Sequence, residues 1–324
     1  MSFDPVTSAY EIVNGVSLES VRNLMNSNID HISVCVCTFK RADFLKRLLE
    51  RLEKQRTDGL FTYSAVVSDN DSKESAREVV AAFSESSPLH VTYCNEPRQN
   101  IALARNMAVQ HAEGDFIAFI DDDEFPGDDW LYHLFNTCAS RGVAGVLGPV
   151  KPYFESEPPA WVRKGKFFDR PTFNTGYKLT YDQARTGNVL FKREILGTVE
   201  VFFRPQFATA GEDVDFFRRM MQQGFTFIWC NEAPVYEIVP ASRCNRSYLL
   251  KRALLRGSNF HKHPTDRLKN AAKSLIAVPC YTLALPFLAL FGQHMFLKYL
   301  IKLFDHASRL LAYVGLSAVT RRQT

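Results

Sequence analysis

A chain of 324 residues with 46% hydrophobic and 23% charged content has the size of about two domains and excludes disorder as its main state. Its net charge of +4 conceals a division: residues 1–239 carry 25 Lys/Arg against 33 Asp/Glu, a net of −8, whereas residues 240–324 carry 14 against 2, a net of +12. So basic an end expects a negative partner, either nucleic acid or an anionic membrane surface.

Residues 31–37 read as a buried first strand, left by the loop Thr38-Phe39-Lys40-Arg41. Cys35 and Cys37 face one side of that strand and are expected to pack as small apolar residues. Residues 43–54 place Phe44, Leu45, Leu48, Leu49 and Leu52 at helical spacing, with Asp43 as the expected N-cap. A second strand over 61–68 ends at Asp69-Asn70-Asp71-Ser72, and a helix follows through Phe83. A third strand over 90–94, a helix over 101–113 and a fourth strand over 116–120 complete the series. Four alternations of strand and helix predict an α/β fold, a parallel sheet with helices on both faces. Polar residues collect after each strand's carboxyl end, where open α/β sheets bind ligands.

Beyond Trp130 the pattern loosens. Strands are expected over 143–150, 187–191 and 225–229, with a Pro- and aromatic-rich loop over 152–170. Gly211-Glu212-Asp213 opens a helix through Met221, whose expected apolar face is Val214, Phe217, Met220 and Met221. In the basic end, residues 275–291 carry no charge over 17 residues, short of the roughly 20 that span a bilayer as a helix. Pro279 and Pro286 interrupt this run. Residues 296–314 then mix apolar positions with Lys298, Lys302 and Arg309, as an interfacial helix does. Basic flanks on both sides place both ends at the cytoplasmic face and favour a re-entrant or shallow hairpin over a buried core helix pair. Arg243, Arg246, Lys251, Arg252 and Arg256 are expected to meet anionic headgroups or phosphates. The seven cysteines, an odd count with no Cys-x-x-Cys pair, fit a reducing compartment. Acids and amides interrupt every apolar stretch of the first 30 residues, so no signal peptide is expected there and the main body is expected in the cytosol.

The acids Asp121-Asp122-Asp123-Glu124 directly follow the fourth strand. Carboxylates crowded there repel one another, and a hard divalent cation, Mn²⁺ or Mg²⁺, removes that penalty. The competing reading is a solvated turn into a helix, since Pro126-Gly127-Asp128-Asp129 follows. Neither G-x-G-x-x-G nor G-x-x-x-x-G-K-[ST] follows the first strand, which lowers dinucleotide-dehydrogenase and NTPase readings. Polar side chains stand in glycine's place: Thr38, Asp69-Asn70-Asp71, Arg105-Asn106 and the four acids. Asp or Asn accepts from a pyrimidine N–H, and Arg pairs with a diphosphate. Each also has an ordinary use: Thr38 as a turn cap, residues 69–72 as a turn with an N-cap, Arg105 as partner to a nearby acid. Asp213, at a helix start, is kept ionised by the macrodipole, or is simply an acid of a first turn.

Val34 to Arg41, Val67 to Ser72, Asn100 to Asn106, Phe119 to Glu124 and Gly211-Glu212-Asp213, in that order, resemble the family 2 inverting nucleotide-sugar glycosyltransferases of GT-A fold, of the bacterial polysaccharide-biosynthesis type. The resemblance covers residues 32–236 and implies a Rossmann-type mixed sheet carrying an apolar and amphipathic helical tail. It implies Thr38 and Asp69 or Asn70 at the nucleobase, and Asp121 and Asp122 along the ribose and diphosphate. Arg105 and Glu212 would join the substrate site, and Asp123 would hold Mn²⁺ or Mg²⁺. Asp213 would be the base that takes the acceptor hydroxyl's proton. Phe39 stands where many relatives have Tyr, so a hydroxyl contact is missing there, and four acids in a row leave two adjacent registers for the metal ligand. The Gln-x-x-Arg-Trp motif of processive synthases is absent, so single-sugar transfer is expected.

The expected organisation is an N-terminal extension over 1–30, a nucleotide-sugar half over 31–130, an acceptor half with the base over 131–240, and a membrane-associating tail over 241–324. The expected partners are a nucleotide-sugar donor, a glycan or lipid-linked acceptor and a membrane surface, with no nucleic acid. Two alternatives remain: a metal-dependent phosphohydrolase, which would want a carboxylate where Thr38 stands, and a nucleic-acid-binding protein. Against the latter, the tail's charges flank an uncharged apolar run rather than interleaving with exposed aromatics.

Overall fold

The computed structural model describes residues 12–13, 16–17, 29–198, 201–207, 211–259 and 267–316. Most of the expected N-terminal extension lies outside them. Strand β1 (His31–Thr38), helix α1 (Ala42–Leu52), β2 (Thr62–Asp69), α2 (Arg77–Ser86), β3 (Val91–Asn95), α3 (Ile101–Gln110) and β4 (Phe116–Ile120) form the first half. Their strands lie parallel in the order β4-β1-β2-β3. The register pairs Thr38 with Asp69 and Asp69 with Asn95, so the carboxyl ends of β1, β2 and β3 are level. That alignment brings loops distant in sequence to one sheet edge.

The chain continues through β5 (Glu124–Pro126), α4 (Trp130–Arg141), β6 (Gly145–Leu147), β7 (Val150–Tyr153), α5 (Ala160–Gly165), β8 (Asn188–Lys192), α6 (Glu212–Gln222), β9 (Phe227–Trp229) and β10 (Val235–Ile238). Here the sheet becomes mixed. β8 runs antiparallel to both β4 and β6, and β9 lies parallel to β6 at the far edge. A second sheet, β5-β10-β7, pairs β10 antiparallel to β5 and parallel to β7. An all-parallel sheet therefore holds only for the first four strands. β8 is reached through a long irregular segment rather than a crossover helix, and so it can return in the opposite direction.

Helices cover both faces. Leu45, Leu48 and Leu49 of α1 and Leu131 and Leu134 of α4 pack with Val34, Val36 and Val67 on one face. Ala102 and Ala108 of α3 and Phe216, Phe217 and Met220 of α6 pack with Cys35, Phe119 and Phe191 on the other. Cys35 is thus an apolar core residue, and Cys37 beside it is half-buried.

Several local expectations are corrected. Residues 143–150 are not one strand: β6 and β7 belong to different sheets, parted at Gly148-Pro149. A Cβ on Gly148 would come within 2.2 Å of the Ala233 carbonyl oxygen, and Pro149 has no N–H to give a ladder. Asp43 lies in the first turn of α1 rather than capping it, since Arg41 occupies the cap position without a side-chain bond. α3 stops at Gln110, short of residue 113. The residues expected as loop over 152–170 include the end of β7 and the short α5. The buried side of α6 is Glu212, Asp215, Phe216, Phe217 and Met220, so Val214 and Met221 are only half-buried. Ion pairs to the two acids rotate the helix from the side its apolar spacing favours.

The tail forms α7 (Arg246–Asn259), α8 (Arg267–Leu290) and α9 (Gln293–Tyr313). α8 stays one helix through Pro279 and Pro286, and its residues 270–289 are long and apolar enough to cross a membrane. α9 belongs to the body: Ile301 packs into a cluster with Trp161, Phe167, Tyr248 and Leu249.

Candidate active site

Seven carboxylates and five arginines meet where β1, β4 and β10, α3 and α6 end or begin. From β1, the Thr38 hydroxyl donates to Asp122 Oδ2 at 2.8 Å, and Arg41 Nη1 reaches Asp122 Oδ1 at 2.8 Å and Asp123 Oδ2 at 3.2 Å. From the segment after β10, Arg243 bridges Asp123 Oδ2 at 3.4 Å and Glu237 Oε1 at 3.5 Å. Arg170 pairs with the other oxygen of Glu237. Asp123 is therefore gripped by two guanidiniums, from residues 82 before it and 120 after it in the chain.

A second group lies beside the first. Arg105 of α3, buried, pairs with Glu212 Oε1 at the start of α6 and reaches Asp121 Oδ1 at 3.6 Å. Burial opposes its charge, but Glu212 and Asp121 more than offset this and hold Arg105 firmly protonated. Arg105 thus has the acid partners that its ordinary reading foresaw, and one of them belongs to the acidic run. Asp213 follows Glu212, is partly exposed, accepts the Val214 N–H at 2.7 Å, and has Arg185 Nε at 3.8 Å from Oδ2. Gly211 at φ 99° supplies the left-handed turn that starts α6 there.

Burial dominates the electrostatics. It pushes the Asp122 carboxyl up to about 6, against the pull of Arg41 and the Thr38 hydroxyl. It raises Asp121 and Glu212 as well, and Glu124 strongly, with Asp121 adding to the shift at Glu124. Glu124 Oε1 and Glu212 Oε2 are buried with no hydrogen-bond partner among the described residues. Buried polar atoms are almost always paired, so these two mark a surplus of acceptors. Gly187, entering β8 beside the end of β4, makes room for it: a Cβ there would lie 2.9 Å from Glu124 Oε1 and 3.0 Å from Asp121 Oδ2.

Asp69 and Asn70 sit at the same sheet edge but are committed to their own loop. Asp69 accepts from Asp71 N, Ala76 N and the Tyr93 hydroxyl, at 3.0, 2.7 and 3.1 Å. Asn70 donates to the Glu96 and Arg98 carbonyls and accepts from Asn100 N. Asn100 in turn caps α3, accepting from Ala102 N and Leu103 N. These bonds join three loops into one rigid wall. The acids of the fourth loop do not lead into a solvated turn, because Glu124 opens β5 and is buried.

Among the described residues no three His, Cys, Asp or Glu side chains converge as a ready-made metal cage. A Mg²⁺-type ion does not need one, since one or two carboxylates suffice when phosphate and water complete the shell. Asp123, nearly buried and paired with the guanidiniums of Arg41 and Arg243, fits such a ligand beside the two open acceptor oxygens.

Arg170, Glu237 and Arg243 were not foreseen as members of this cluster. β10 was not predicted, so nothing in the sequence placed its acid beside Asp123, and Arg243 was expected to meet anionic headgroups or the acceptor's phosphates.

The family model described as Glycosyl transferase family 2 matches residues 33–198. The chain is 34% identical over 232 residues to the succinoglycan biosynthesis protein ExoM of Rhizobium meliloti, covering 70% of this chain and 73% of that protein. Among solved structures, the mannosyltransferase PcManGT of Pyrobaculum calidifontis, in complex with GDP-Man and Mn²⁺, superposes with a TM-score of 0.58 at 21% identity, covering 89% of this chain and 87% of that one. The S. aureus TarS fragment 1–349 with UDP matches at a TM-score of 0.50 and 15% identity, over 88% and 90%. These structural likenesses support the GT-A fold.

Proposed function

The chain belongs to glycosyl transferase family 2, and from that premise we propose a metal-dependent, inverting enzyme that moves one sugar from a nucleotide-sugar donor to a glycan or lipid-linked acceptor. Its setting is surface-polysaccharide synthesis at the cytoplasmic face of the membrane. The observation that carries this reading is the buried Arg105, which ties Asp121 of the acidic run to Glu212 beside Asp213. That bridge links the acidic run to the turn that carries Asp213, which supports their acting together.

Inversion requires a carboxylate to take the acceptor hydroxyl's proton as that oxygen attacks opposite the leaving diphosphate. Asp213 is suited to this. It stands at a helix start, is partly exposed, and uses Oδ1 on the Val214 N–H, while Arg185 Nε lies 3.8 Å from Oδ2. Arg105 and Glu212 fix the first turn of α6 and thereby aim Asp213. Asp123 would hold Mn²⁺ or Mg²⁺, which when bound offsets charge on the diphosphate leaving group. Arg41 and Arg243, now paired with Asp123, are placed to meet the same phosphates. Asp121 and Asp122 line the ribose and diphosphate, with Thr38 holding Asp122 in orientation. Asp69 and Asn70 shape the nucleobase wall, which supports a role for the rigid loop rather than for either free side chain. The Mn²⁺ and GDP-Man bound to PcManGT, and the UDP bound to TarS, support a nucleotide-sugar donor. The role of ExoM in succinoglycan biosynthesis supports a polysaccharide product.

Asp213→Asn keeps shape and removes basicity. Transfer should fall by roughly 10²–10⁴-fold with donor binding nearly unchanged, the usual worth of a general base. Near-normal turnover in a single-turnover assay would remove Asp213 from this role.

A further inference from the structure

α8 presents an apolar face that none of the described residues covers. Leu268, Leu275, Ile276, Leu283, Phe287 and Leu290 are all more than 60% exposed and recur at helical spacing along one side. An apolar surface of this length on a soluble body marks an interaction site. The chemistry around it identifies the partner. Lys251, Arg252 and Arg256 of α7, Lys273 of α8 and Lys298 and Lys302 of α9 are exposed. The one acid on these three helices, Asp305, is buried and paired with Arg256 and Arg309. Cations bordering an exposed apolar stripe complement an anionic bilayer surface.

The packing also sets how deep this surface goes. α8 turns at Gly292, φ 102°, and α9 runs back along it, joined by Tyr281 against Tyr299 and by Ser274 Oγ to His306 Nδ1 at 2.9 Å. α9 is in turn locked to α7: the Ser308 hydroxyl donates to the Leu254 carbonyl at 2.6 Å, Arg256 Nε meets Asp305 at 2.8 Å, and a Cβ on Gly257 would lie 2.4 Å from the Asp305 carbonyl oxygen. α8 cannot cross a bilayer without drawing in α9 with Lys298, Lys302, Asp305 and Arg309.

We infer that α8 lies in the plane of an anionic membrane as a monotopic docking face, with α9 as its rigid backing, and does not span the bilayer. The inference deepens the membrane setting of the proposed function and rests on it. Because Arg243, at the head of the tail, bonds Asp123, a body docked in this way holds its candidate active site at a fixed distance from the surface where a lipid-linked acceptor would reside.

Cys280, in the middle of α8, is the one cysteine exposed among those described, and it reports the depth directly. The full-length protein, labelled there with an environment-sensitive fluorophore, is mixed with vesicles of equal parts phosphatidylcholine and phosphatidylglycerol. The expected result is salt-weakened binding, with quenching by nitroxides near the headgroup and little by nitroxides at the chain ends. Leu283→Glu with Phe287→Glu should weaken vesicle binding about tenfold or more, while the circular dichroism spectrum is kept. Quenching strongest at the bilayer centre overturns the inference in favour of a span. Concentration-dependent dimerisation abolished by the same substitutions, with no vesicle binding, overturns it in favour of a second copy. Donor-nucleotide binding by the same preparations separates the two claims: its loss with docking intact removes the transferase reading only, and the reverse removes the docking face only.

Discussion

The candidate site and the tail handle charge in opposite ways. At the sheet edge seven carboxylates meet five arginines, and two buried oxygens, Glu124 Oε1 and Glu212 Oε2, are left without partners among the described residues. On helices α7, α8 and α9 one buried carboxylate, Asp305, meets two arginines, and among the described residues of these helices the exposed charge is cationic. The first arrangement is incomplete by itself and is stabilised by whatever supplies positive charge or accepts its arginines. The second has its one buried carboxylate doubly paired, and directs its cations and apolar side chains outward. Buried carboxylate oxygens left open therefore mark a small-ligand site, and a paired carboxylate beneath an unpartnered exterior marks a surface for something larger.

Three substitutions test that contrast. Arg105→Met should have the largest effect, because it strands Glu212 as a buried charge and takes a partner from the half-exposed Asp121. A stability loss of about 3–5 kcal/mol at neutral pH is expected from urea melts, and adding Glu212→Gln should restore part of it. If the single variant is as stable as the wild type, the pair is not the keystone described here. Asp305→Asn should cost about 1–3 kcal/mol, the range for bonds to a charged partner, and should leave donor binding untouched. Donor binding that fell with it would mean that the two regions are coupled. Gly187→Ala should change stability least, since the carboxylate ends it meets can move by a few tenths of an ångström. It should nevertheless weaken metal-dependent nucleotide binding about tenfold, or roughly 1.4 kcal/mol, by displacing Asp121 and Glu124. Unaltered binding in titration calorimetry would remove those two acids from the site.

Much of the first half was legible because its determinants are local. Each strand of the β1–β4 series is a short apolar run, each helix carries apolar residues at helical spacing, and the acids sit immediately after β4. The bonds that assemble the cluster were not legible. Arg41 and Asp122 are 81 residues apart and Arg243 and Asp123 are 120 apart, so no window of sequence contains both members of either pair. The antiparallel β8 was foreseen as a strand but not in direction, since direction depends on how the irregular segment before it returns. The tail divided along the same line. Its apolar run was visible in composition, whereas the role of α9 as part of the body depends on Ile301 meeting Trp161 and Phe167 from a distant loop.

The central claim is that the acidic edge binds a nucleoside diphosphate together with a divalent cation held by Asp123. Its most direct test is thermal unfolding of the wild type and Asp123→Ala with a nucleoside diphosphate, with Mn²⁺, and with both. In the wild type the pair should stabilise more than either alone, by about 2.7 kcal/mol when the ligands stand at a hundredfold over their dissociation constant. Asp123→Ala should fold normally, keep any metal-independent increment, and lose the Mn²⁺-dependent part. An equal Mn²⁺-dependent shift in Asp123→Ala, or no response of the wild type to nucleotide and metal together, would contradict the account.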